Sequence, residues 1–357
     1  MKKKVLHIVE AFGGGVFTYL TALANGTCEE FDVTIACTVR PQTPENFERF
    51  LDPRVHIIKM EHQQRSINLK KDFRGAVEIR DIVKQVEPDV IHLHSSKAGI
   101  LGRIAINCRK NKVFYTPHGF SFLKKDDPIL VRMIYRLVEQ VASWFGGEII
   151  AVSEGEYKEA RKLTKRASYI NNGIELTPEL IEASKRSEIK ELSKPVIGTL
   201  GRVCYQKNPD LFNQVAQSLK EDRFVWIGMG DMEESIQASN VQITGWCEHE
   251  EAIQRLEQID IFLLTSLWEG LPISLLEAMY LKKICIMTDV IGNRDVIEHG
   301  VNGFIGDTAE EIVALIEEIR SGKWDLQKIT ERAKADVEEK YNILVMCEEY
   351  SKRYREG

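Results

Sequence analysis

The sequence lacks long apolar runs and paired cysteines, and each absence excludes a class of protein. Its strongly apolar runs, such as Ile261–Leu264, are far shorter than the ~20 residues that a membrane-spanning helix needs. The seven cysteines are scattered and none forms a Cys-x-x-Cys pair, so we expect a reducing, cytosolic compartment without disulfides or a zinc knuckle. The basic start, Lys2–Lys4, precedes an apolar stretch that is too short for a signal peptide.

Composition and length indicate a folded chain of two domains with unevenly distributed charge. With 357 residues, 43% apolar and 29% charged, the chain is neither disordered nor fibrous. The net charge of −6 argues against bulk nucleic-acid binding. Residues 1–172 carry 27 Lys and Arg against 20 Asp and Glu, whereas residues 173–357 carry 21 against 34. The basic half predicts an anionic partner, although chance variation in surface charge also produces such a difference.

Short β-branched runs alternate with amphipathic segments of helical length along the whole chain. The predicted strands are Val5–Val9, Val33–Val39, Asp89–His94, Val113–Thr116, Glu148–Val152, Val196–Leu200, Phe224–Ile227, Val241–Thr244, Ile259–Leu264 and Ile284–Thr288. The predicted helices lie near Val16–Asn25, Arg74–Val86, Ala98–Arg109, Pro128–Phe145, Pro209–Leu219, Glu250–Leu256, Pro272–Leu281 and Ala309–Arg320. Because the alternation restarts after the polar stretch Glu179–Lys194, we expect an α/β fold with two doubly wound parallel sheets, divided near Asn171–Glu175.

In doubly wound sheets, ligands bind beyond the carboxyl ends of the strands, so the loops there are the candidate sites. The loop after the first predicted strand contains Gly13–Gly15, and glycine allows backbone N–H groups to approach a phosphate. The loop departs from a dinucleotide-binding fingerprint because Thr18 replaces the last glycine and the second strand leads to Arg40 without an acid for the ribose. A nicotinamide-dependent oxidoreductase is therefore disfavoured, and the glycines alone are equally typical of a tight turn.

The strongest local pattern is a pair of glutamates that follows the predicted strand Ile259–Leu264. Glu269 falls in the loop, and Glu277 falls inside the helix that Pro272 begins. Both carboxylates can face a ligand above the helix N-terminus, where free N–H groups favour phosphate. Two acids on a helix surface are the ordinary alternative, but Glu277 stands among apolar residues, where an unpaired charge is costly.

These residues resemble the two-glutamate signature of the retaining glycosyltransferases of family 4, which have the GT-B fold of two Rossmann-like domains facing across a cleft. The resemblance extends over nearly the whole chain, through Gly13–Gly15, Asp89–Gly99, Tyr115–Phe120, Ile170–Glu175, Gly198–Asn208 and Gly292–Gly303. It implies an N-terminal acceptor domain of residues 1–172, to which the C-terminal helix of residues 341–357 crosses back. Residues 173–340 would form the nucleotide-sugar donor domain.

The resemblance also implies a role for each matching residue. Arg202 and Lys207 match the cations that hold the donor diphosphate. Glu269 matches the acid that binds the sugar hydroxyls, and His118 matches a histidine near the reacting centre. These four are the predicted catalytic residues. The predicted donor-binding residues are Gly14, Gly15, Arg202, Lys207, Gly230, Trp246, Cys247, Glu269, Gly270, Leu271, Pro272, Ile273 and Glu277. The predicted acceptor-binding residues are His94, Ser96, Lys97 and His118.

We expect no metal and no other cofactor. The sequence has no Asp-x-Asp motif, and His92 and His94, which point the same way along a strand, lack further zinc ligands. We find no second carboxylate that could act as the nucleophile, as one does in a retaining glycosidase. The resemblance implies instead a front-face reaction, in which the departing phosphate oxygen takes the acceptor proton. Two departures from the family pattern, Leu281–Lys283 in place of a glycine and Asp295 in place of a glutamate, concern the donor pocket.

The expected activity is transfer of a hexose or N-acetylhexosamine from a UDP-sugar to a lipid-diphosphate-linked saccharide in capsule or exopolysaccharide synthesis. An inactive sugar-nucleotide-binding partner of another transferase is the alternative, and the glutamate spacing disfavours an epimerase. The segment Pro128–Phe145 intersperses apolar residues with Arg132 and Arg136, which fits either a helix lying on a membrane or a core-facing helix. We therefore expect a cytoplasmic protein, peripheral on the inner face of the plasma membrane, whose partners include an anionic membrane surface but no nucleic acid.

Overall fold

The computed structural model describes residues 2–40, 43–62, 68–125, 127–189 and 192–356. The chain divides into two units. Unit 1 comprises Met1–Leu123, Asp127–Gly173 and Ile343–Gly357, and unit 2 comprises Lys124–Asp126 and Ile174–Asn342. The segment from Ile343 onward thus belongs to the same unit as the N-terminal half.

Unit 1 is built on a seven-stranded parallel sheet with the order β3-β2-β1-β4-β5-β6-β7. Its strands are β1 (Lys4–Phe12), β2 (Asp32–Val39), β3 (His56–Lys59), β4 (Val90–His94), β5 (Lys112–Thr116), β6 (Glu148–Ala151) and β7 (Ala167–Tyr169). Its helices are α1 (Gly14–Thr27), α2 (Leu69–Val86), α3 (Ser96–Ala105), α4 (Ile129–Trp144), α5 (Glu154–Leu163) and, at the C-terminus, α12 (Ile343–Arg355).

Unit 2 is built on a six-stranded parallel sheet with the order β10-β9-β8-β11-β12-β13. Its strands are β8 (Val196–Leu200), β9 (Arg223–Ile227), β10 (Val241–Ile243), β11 (Ile261–Leu264), β12 (Ile284–Met287) and β13 (Phe304–Ile305). Its helices are α6 (Pro178–Arg186), α7 (Pro209–Ser218), α8 (His249–Glu257), α9 (Ile273–Tyr280), α10 (Ala309–Arg320) and α11 (Leu326–Lys340).

The central strands are buried on both faces, as in other parallel sheets that helices cover. Every residue of β4, β11 and β12 is buried; β11 and β12 are wholly apolar, and the two histidines of β4, His92 and His94, are hydrogen-bonded. One face of the unit 1 sheet packs on α1 and α12, where Leu20, Tyr350 and Tyr354 are fully buried. In unit 2, Phe212 of α7 and Ile312 of α10 pack together in one core with β8, β9 and β12.

The structure corrects the predicted elements at the sheet edges and in polar helices. Strands β3, β7 and β13 were not predicted; each has two to four residues and lies at an edge of its sheet, where partial exposure weakens the apolar pattern. Helices α5, α6 and α11 were not predicted either, and α6 occupies part of the expected polar stretch Glu179–Lys194. Their sequences contain capping residues, Ser153, Thr177 and Asp325, which identify the helix starts better than periodicity does.

Each sheet has one topological switch point, where the strand order reverses. In unit 1 it lies between β1 and β4, and in unit 2 between β8 and β11. The loops that leave the carboxyl ends of these strands carry the predicted glycine loop and Ser96 in unit 1, and Arg202, Lys207 and Glu269 in unit 2. These are the positions where open α/β sheets bind ligands. No described helix is both long enough and apolar enough to cross a bilayer.

Candidate functional site

Lys207 and Glu269 form an ion pair at the switch point of unit 2. Lys207 ends a short 3₁₀ turn after β8, and its Nζ lies 2.7 Å from Oε1 of Glu269 in the loop after β11. The hydroxyl of Ser266 donates to the same oxygen at 2.7 Å, and the amide of Gln206 donates to Oε2 at 3.3 Å. With its side chain only 8% exposed, Glu269 is a desolvated carboxylate held by three donors, with a fixed orientation.

Arg202 is placed differently from Lys207 although both cations follow β8. Its residue is exposed, and within the described ranges no ion pair or hydrogen bond engages its side chain. The guanidinium is therefore available to a ligand at the edge of the site. The Lys207 ammonium, by contrast, must leave the Glu269 carboxylate before it can bind a ligand. A planar guanidinium also suits bidentate contacts with phosphate oxygens.

Glu277 has a partner that the sequence did not reveal. It lies in the second turn of α9, is only 4% exposed, and accepts a hydrogen bond from Nε2 of His249 at 2.7 Å. His249 is the first residue of α8, and the hydrogen bond to Glu277 raises its pKa. The buried carboxylate is thus paired, and His249 joins the candidate site as a residue that sequence reasoning missed.

Close backbone contacts bring the carboxyl-end loops of unit 2 together. Gly228 and Gly245 form an isolated bridge, and a Cβ atom on Gly228 would overlap the carbonyl of Gly201. A Cβ atom on Gly230 would overlap the backbone of Val203, and the Gly230 N–H donates to Glu233 at 2.9 Å. Gly230 is therefore needed for the close approach of two loops, and its N–H already has an acceptor.

The other predicted donor-binding residues of unit 2 lie in two loops. Trp246 and Cys247 lie between β10 and α8; the indole residue is 64% exposed, and burial raises the pKa of the Cys247 thiol. Around the start of α9, Leu271 and Pro272 are buried, whereas Gly270 and Ile273 are half-buried. A Cβ atom on Gly292 would overlap the Gly270 carbonyl, so the absence of a side chain at Gly292 lets the chain pass close to the Glu269 loop.

A chain of histidines ends at His118 in unit 1. Nδ1 of His7 lies 3.0 Å from Nε2 of His94, and Nδ1 of His94 lies 3.1 Å from Nε2 of His118. His94, predicted to bind the acceptor, is completely buried, so it can act on a substrate only through His118. Burial lowers the pKa of His7 and of His118 to about 3, and it lowers the pKa of His94 as well. The three imidazoles are therefore neutral at pH 7.

The remaining unit 1 candidates lie at the starts of two helices, α3 and α1. Lys97 forms an ion pair with Asp72 at 2.7 Å, with about one-seventh of each side chain exposed, and Ser96 begins α3. Gly14, with φ +53°, and Gly15 begin α1, and a Cβ atom at either position would meet open space. These two glycines and all four predicted acceptor-binding residues belong to unit 1, whereas the other predicted donor-binding residues belong to unit 2.

The histidine cluster also brings together three possible metal ligands. One ring nitrogen from each of His7, His92 and His94 falls within a span of 4.8 Å. Both nitrogens of His92 and of His94 are already in hydrogen bonds, those of His92 with Tyr354 and Thr116 at 2.7 and 2.8 Å. A metal would have to replace these bonds, so the geometry favours a hydrogen-bonded network. The absence of a metal from the reaction stays a prediction.

Comparisons with known proteins place this site in a family context. The profile "Glycosyltransferase Family 4" matches residues 13–177, and "Glycosyl transferases group 1" matches residues 181–336. An Escherichia coli UDP-Gal:alpha-D-GlcNAc-diphosphoundecaprenol alpha-1,3-galactosyltransferase is 27% identical over 306 residues, 78% of this chain and 76% of the relative. A Campylobacter jejuni N,N'-diacetylbacillosaminyl-diphospho-undecaprenol alpha-1,3-N-acetylgalactosaminyltransferase is 24% identical, over 77% of this chain and 80% of the relative. Anabaena Alr3699/HepE, solved with UDP and glucose, superposes with a TM-score of 0.78 over 99% of both chains at 17% identity.

Proposed function

The chain belongs to the family 4 glycosyltransferases of GT-B fold, and on this premise we propose that it transfers a hexose or N-acetylhexosamine from a UDP-sugar to a lipid-diphosphate-linked saccharide, with retention, in polysaccharide biosynthesis. The observation that carries the proposal is the Lys207–Glu269 pair at the switch point of unit 2, beside the exposed Arg202. Support for the substrates comes from the relatives, whose names give UDP-galactose as one donor and diphosphoundecaprenol-linked sugars as acceptors.

In this mechanism, cations in unit 2 stabilise the charge that develops on the leaving diphosphate. Arg202 binds phosphate oxygens directly, and Lys207 turns from Glu269 towards them, so both act where negative charge grows as the bond to the anomeric carbon breaks. Glu269 then accepts hydrogen bonds from the sugar hydroxyls, and Glu277 accepts those of the ribose diol. The acceptor oxygen bonds to the anomeric carbon on the face that the diphosphate leaves, and its proton passes to the departing phosphate oxygen.

A transfer assay with a panel of nucleotide sugars tests the proposal. Each donor is combined with a diphosphate-linked N-acetylglucosamine lipid in detergent, or with soluble N-acetylglucosamine, and products are identified by mass and by anomeric NMR couplings. We expect one UDP-sugar to give an α-linked product on the lipid acceptor. Arg202→Ala and Lys207→Ala should each reduce kcat/KM at least ~100-fold, the loss typical of removing one donor to a developing anion. Arg223→Ala, which removes an exposed cation from β9, is the matched control.

Three outcomes would contradict parts of the proposal. A β-linked product from an α-linked donor would disprove retention, and preference for the soluble sugar would disprove the lipid acceptor. Full activity in both cation variants would disprove their role. The alternative function, an inactive partner of another transferase, predicts that UDP-sugars bind tightly but are never consumed with any acceptor.

An outward apolar face on α4 supports the membrane part of the proposal. Most large apolar residues of this helix face outward, whereas its buried residues are Glu139, Ala142 and Ser143, which supports the interpretation as a surface helix. Its exposed apolar residues include Ile129, Leu130, Met133, Ile134 and Leu137, each between 51% and 74% exposed. Arg136 is exposed beside them, whereas the half-buried Arg132 donates from Nε to the Phe122 carbonyl at 3.1 Å. An exposed apolar face with a neighbouring cation suits the interface of an anionic membrane.

Flotation with vesicles tests this surface separately from catalysis. We expect the protein to float with vesicles rich in anionic phosphatidylglycerol at low salt, and to float poorly with neutral phosphatidylcholine. Leu130→Ser combined with Leu137→Ser should abolish flotation without reducing transfer to a soluble or detergent-held acceptor. Leu344→Ser, which changes a residue of α12 that is 79% exposed, should float as the wild type does. Flotation that survives the double substitution would show that α4 does not contact the bilayer.

A further inference from the structure

The histidine chain of unit 1 controls which nitrogen of His118 carries a proton. A neutral imidazole has one N–H group and one bare nitrogen, so it donates through one and accepts through the other. Both nitrogens of His94 are engaged, Nε2 with His7 and Nδ1 with His118. All hydrogen bonds of the chain must therefore run in one direction, and only two proton arrangements are possible.

The first arrangement places every proton on Nδ1. His7 then donates from Nδ1 to His94, His94 donates from Nδ1 to Nε2 of His118, and His118 has its N–H at Nδ1. The second arrangement places every proton on Nε2, so that His118 donates to His94, His94 donates to His7, and the Nε2 of His7 carries the last proton. The two arrangements thus differ at both ends of the chain.

The buried end of the chain distinguishes between them. Nε2 of His7 is buried, and among the described residues it has no hydrogen-bond partner. In the second arrangement this atom would be a buried N–H donor without an acceptor, which is rare in folded proteins and costs the full desolvation of the group. In the first arrangement it is an uncharged lone pair in a pocket of aromatic rings. The geometry therefore favours the proton on Nδ1 of all three histidines.

The other end of the chain, the half-buried His118, is held in a fixed orientation. His118 has φ +55°, an uncommon left-handed conformation for a residue with a side chain. The next residue, Gly119, donates its N–H to the buried carboxylate of Glu156 at 2.6 Å, and the ring of Tyr19 packs edge-on against His118 with centroids 4.6 Å apart. Nδ1 of His118 is the one ring nitrogen of this residue that no described group engages.

We propose that His94 and His7 are positioning residues that fix His118 as the Nδ1–H tautomer, so that it presents a neutral hydrogen-bond donor to a substrate oxygen. This proposal rests on the proposed function, in which His118 lies near the reacting centre. It separates His118 from a general base, because a nitrogen that already carries the proton cannot accept one. It also gives a function to two completely buried histidines that no substrate can reach.

Nitrogen NMR of the histidine-labelled protein tests the tautomer without any substrate. Long-range ¹H–¹⁵N correlations distinguish Nδ1–H from Nε2–H imidazoles, and His118→Gln identifies the signals of His118 by their loss. We expect His118 and His94 to be Nδ1–H tautomers throughout pH 6–8. The titratable groups around this ring are His94, His7, His92, Tyr19, Tyr350 and Glu156. An Nε2–H signal for His118, or a mixture of tautomers, would overturn the proposal.

Two substitutions at one position separate the halves of the chain. In His94→Gln, the amide lies near the position of Nε2, so the variant keeps the hydrogen bond to His7 and loses the one to His118. In His94→Asn, the amide lies near the position of Nδ1, so the variant keeps the hydrogen bond to His118. We expect His94→Gln to populate the other tautomer of His118 and to lower kcat at least 10-fold with donor KM within threefold. His94→Asn should recover part of kcat. His92→Asn is the control, since His92 is equally buried in β4 but bonds to Tyr354 and Thr116.

The outcomes distinguish this proposal from the proposed function. Should no donor and acceptor pair give product, the NMR signals of the wild type still report the tautomer. Should His94→Gln fail to fold, the wild-type signals alone decide. A tautomer of His118 that stays Nδ1–H in folded His94→Gln would disprove control by the chain, as would equal losses of kcat in His94→Gln and His92→Asn.

Discussion

The ion pair between Lys207 and Glu269 makes a specific prediction about nucleotide binding. In the proposed mechanism, Lys207 must leave a carboxylate 2.7 Å away in order to reach the diphosphate. Glu269→Gln removes the charge that holds the ammonium and keeps the shape of the side chain. This substitution should therefore strengthen the binding of UDP, even though it should abolish transfer, because Glu269 also binds the sugar hydroxyls.

The structure gives the size of the effect. A hydrogen bond to a charged group contributes about 1.5–3 kcal/mol, and the lysine side chain is 15% exposed, so solvent screening reduces the competition to about 1–2 kcal/mol. At 1.4 kcal/mol for each factor of ten, UDP should bind roughly 5- to 30-fold more tightly to the variant. UDP-sugar should gain less, since the variant loses contacts with the sugar.

Isothermal titration of UDP into the wild type and variants measures this gain. Glu331→Gln is the matched control, because it neutralises an exposed glutamate that pairs with Lys282 elsewhere in unit 2. In a Lys207→Met background the gain from Glu269→Gln should vanish, which a double-mutant cycle detects as coupling between the two residues. An unchanged or weaker affinity for UDP in Glu269→Gln would refute the idea that Lys207 exchanges partners.

Three further predictions concern stability and the shape of the site. Arg103→Met, which leaves a fully buried carboxylate without its cation, should lower the free energy of unfolding by about 3–5 kcal/mol in urea titration, and a loss below 1 kcal/mol would contradict the account of this pair. Gly292→Ala should reduce transfer at least ~10-fold, because the added Cβ atom displaces the Glu269 loop. Gly322→Ala is the control: this glycine has a similar positive φ but faces open space, so the variant should keep full activity. Equal rates in the two variants would count against the steric argument. The hydrogen bond to Glu277 raises the pKa of His249, so the His249–Glu277 pair stabilises the fold below pH 6.5 and loses this effect as the pH rises through the raised pKa. Relative to His249→Gln, the wild type should lose about 0.5 kcal/mol of unfolding free energy by pH 9. Parallel curves of stability against pH for the two proteins would exclude a contribution from the pair.

The sequence predicted the α/β class, and the structural comparisons confirm the two Rossmann-like sheets. The confirmed strands are the central ones, such as β11 and β12, whose burial on both faces goes with an unbroken apolar run. The three strands that the pattern missed share a cause: an edge strand has a partner on one side only and tolerates polar residues. His56–Lys59, for example, has no residue that is fully buried.

The candidate site was predictable where function requires a motif and unpredictable where it requires a distant contact. Glu269 and Glu277 are close in sequence, so the pattern that follows β11 was enough to predict both as candidates. The partner of Glu277, His249, is 28 residues away on another helix, and no local pattern distinguishes it from an ordinary surface histidine. The same limit applies to His7, whose link to His94 depends on the pairing of β1 with β4.

Periodicity also could not decide how α4 is oriented. The apolar residues of this helix repeat at helical spacing, and such a stripe fits a protein core as well as a lipid surface. The deciding residue is Glu139, which accepts hydrogen bonds from Arg103 at 2.7 Å and from the Tyr115 hydroxyl at 2.8 Å. A carboxylate opposite an apolar stripe reads in the sequence as an ordinary solvent-facing residue, because its partners lie on α3 and β5.

The polar attachment of α4 has a consequence for how this protein can diversify. Hydrogen bonds from Arg103 and Tyr115 to the buried carboxylate of Glu139 hold the inner face of the helix to its neighbours. The outward residues, such as Leu130 and Leu137, therefore contribute little to folding, and their identity can change without loss of the fold. Homologues should vary most on this face while they keep the buried carboxylate and its two donors.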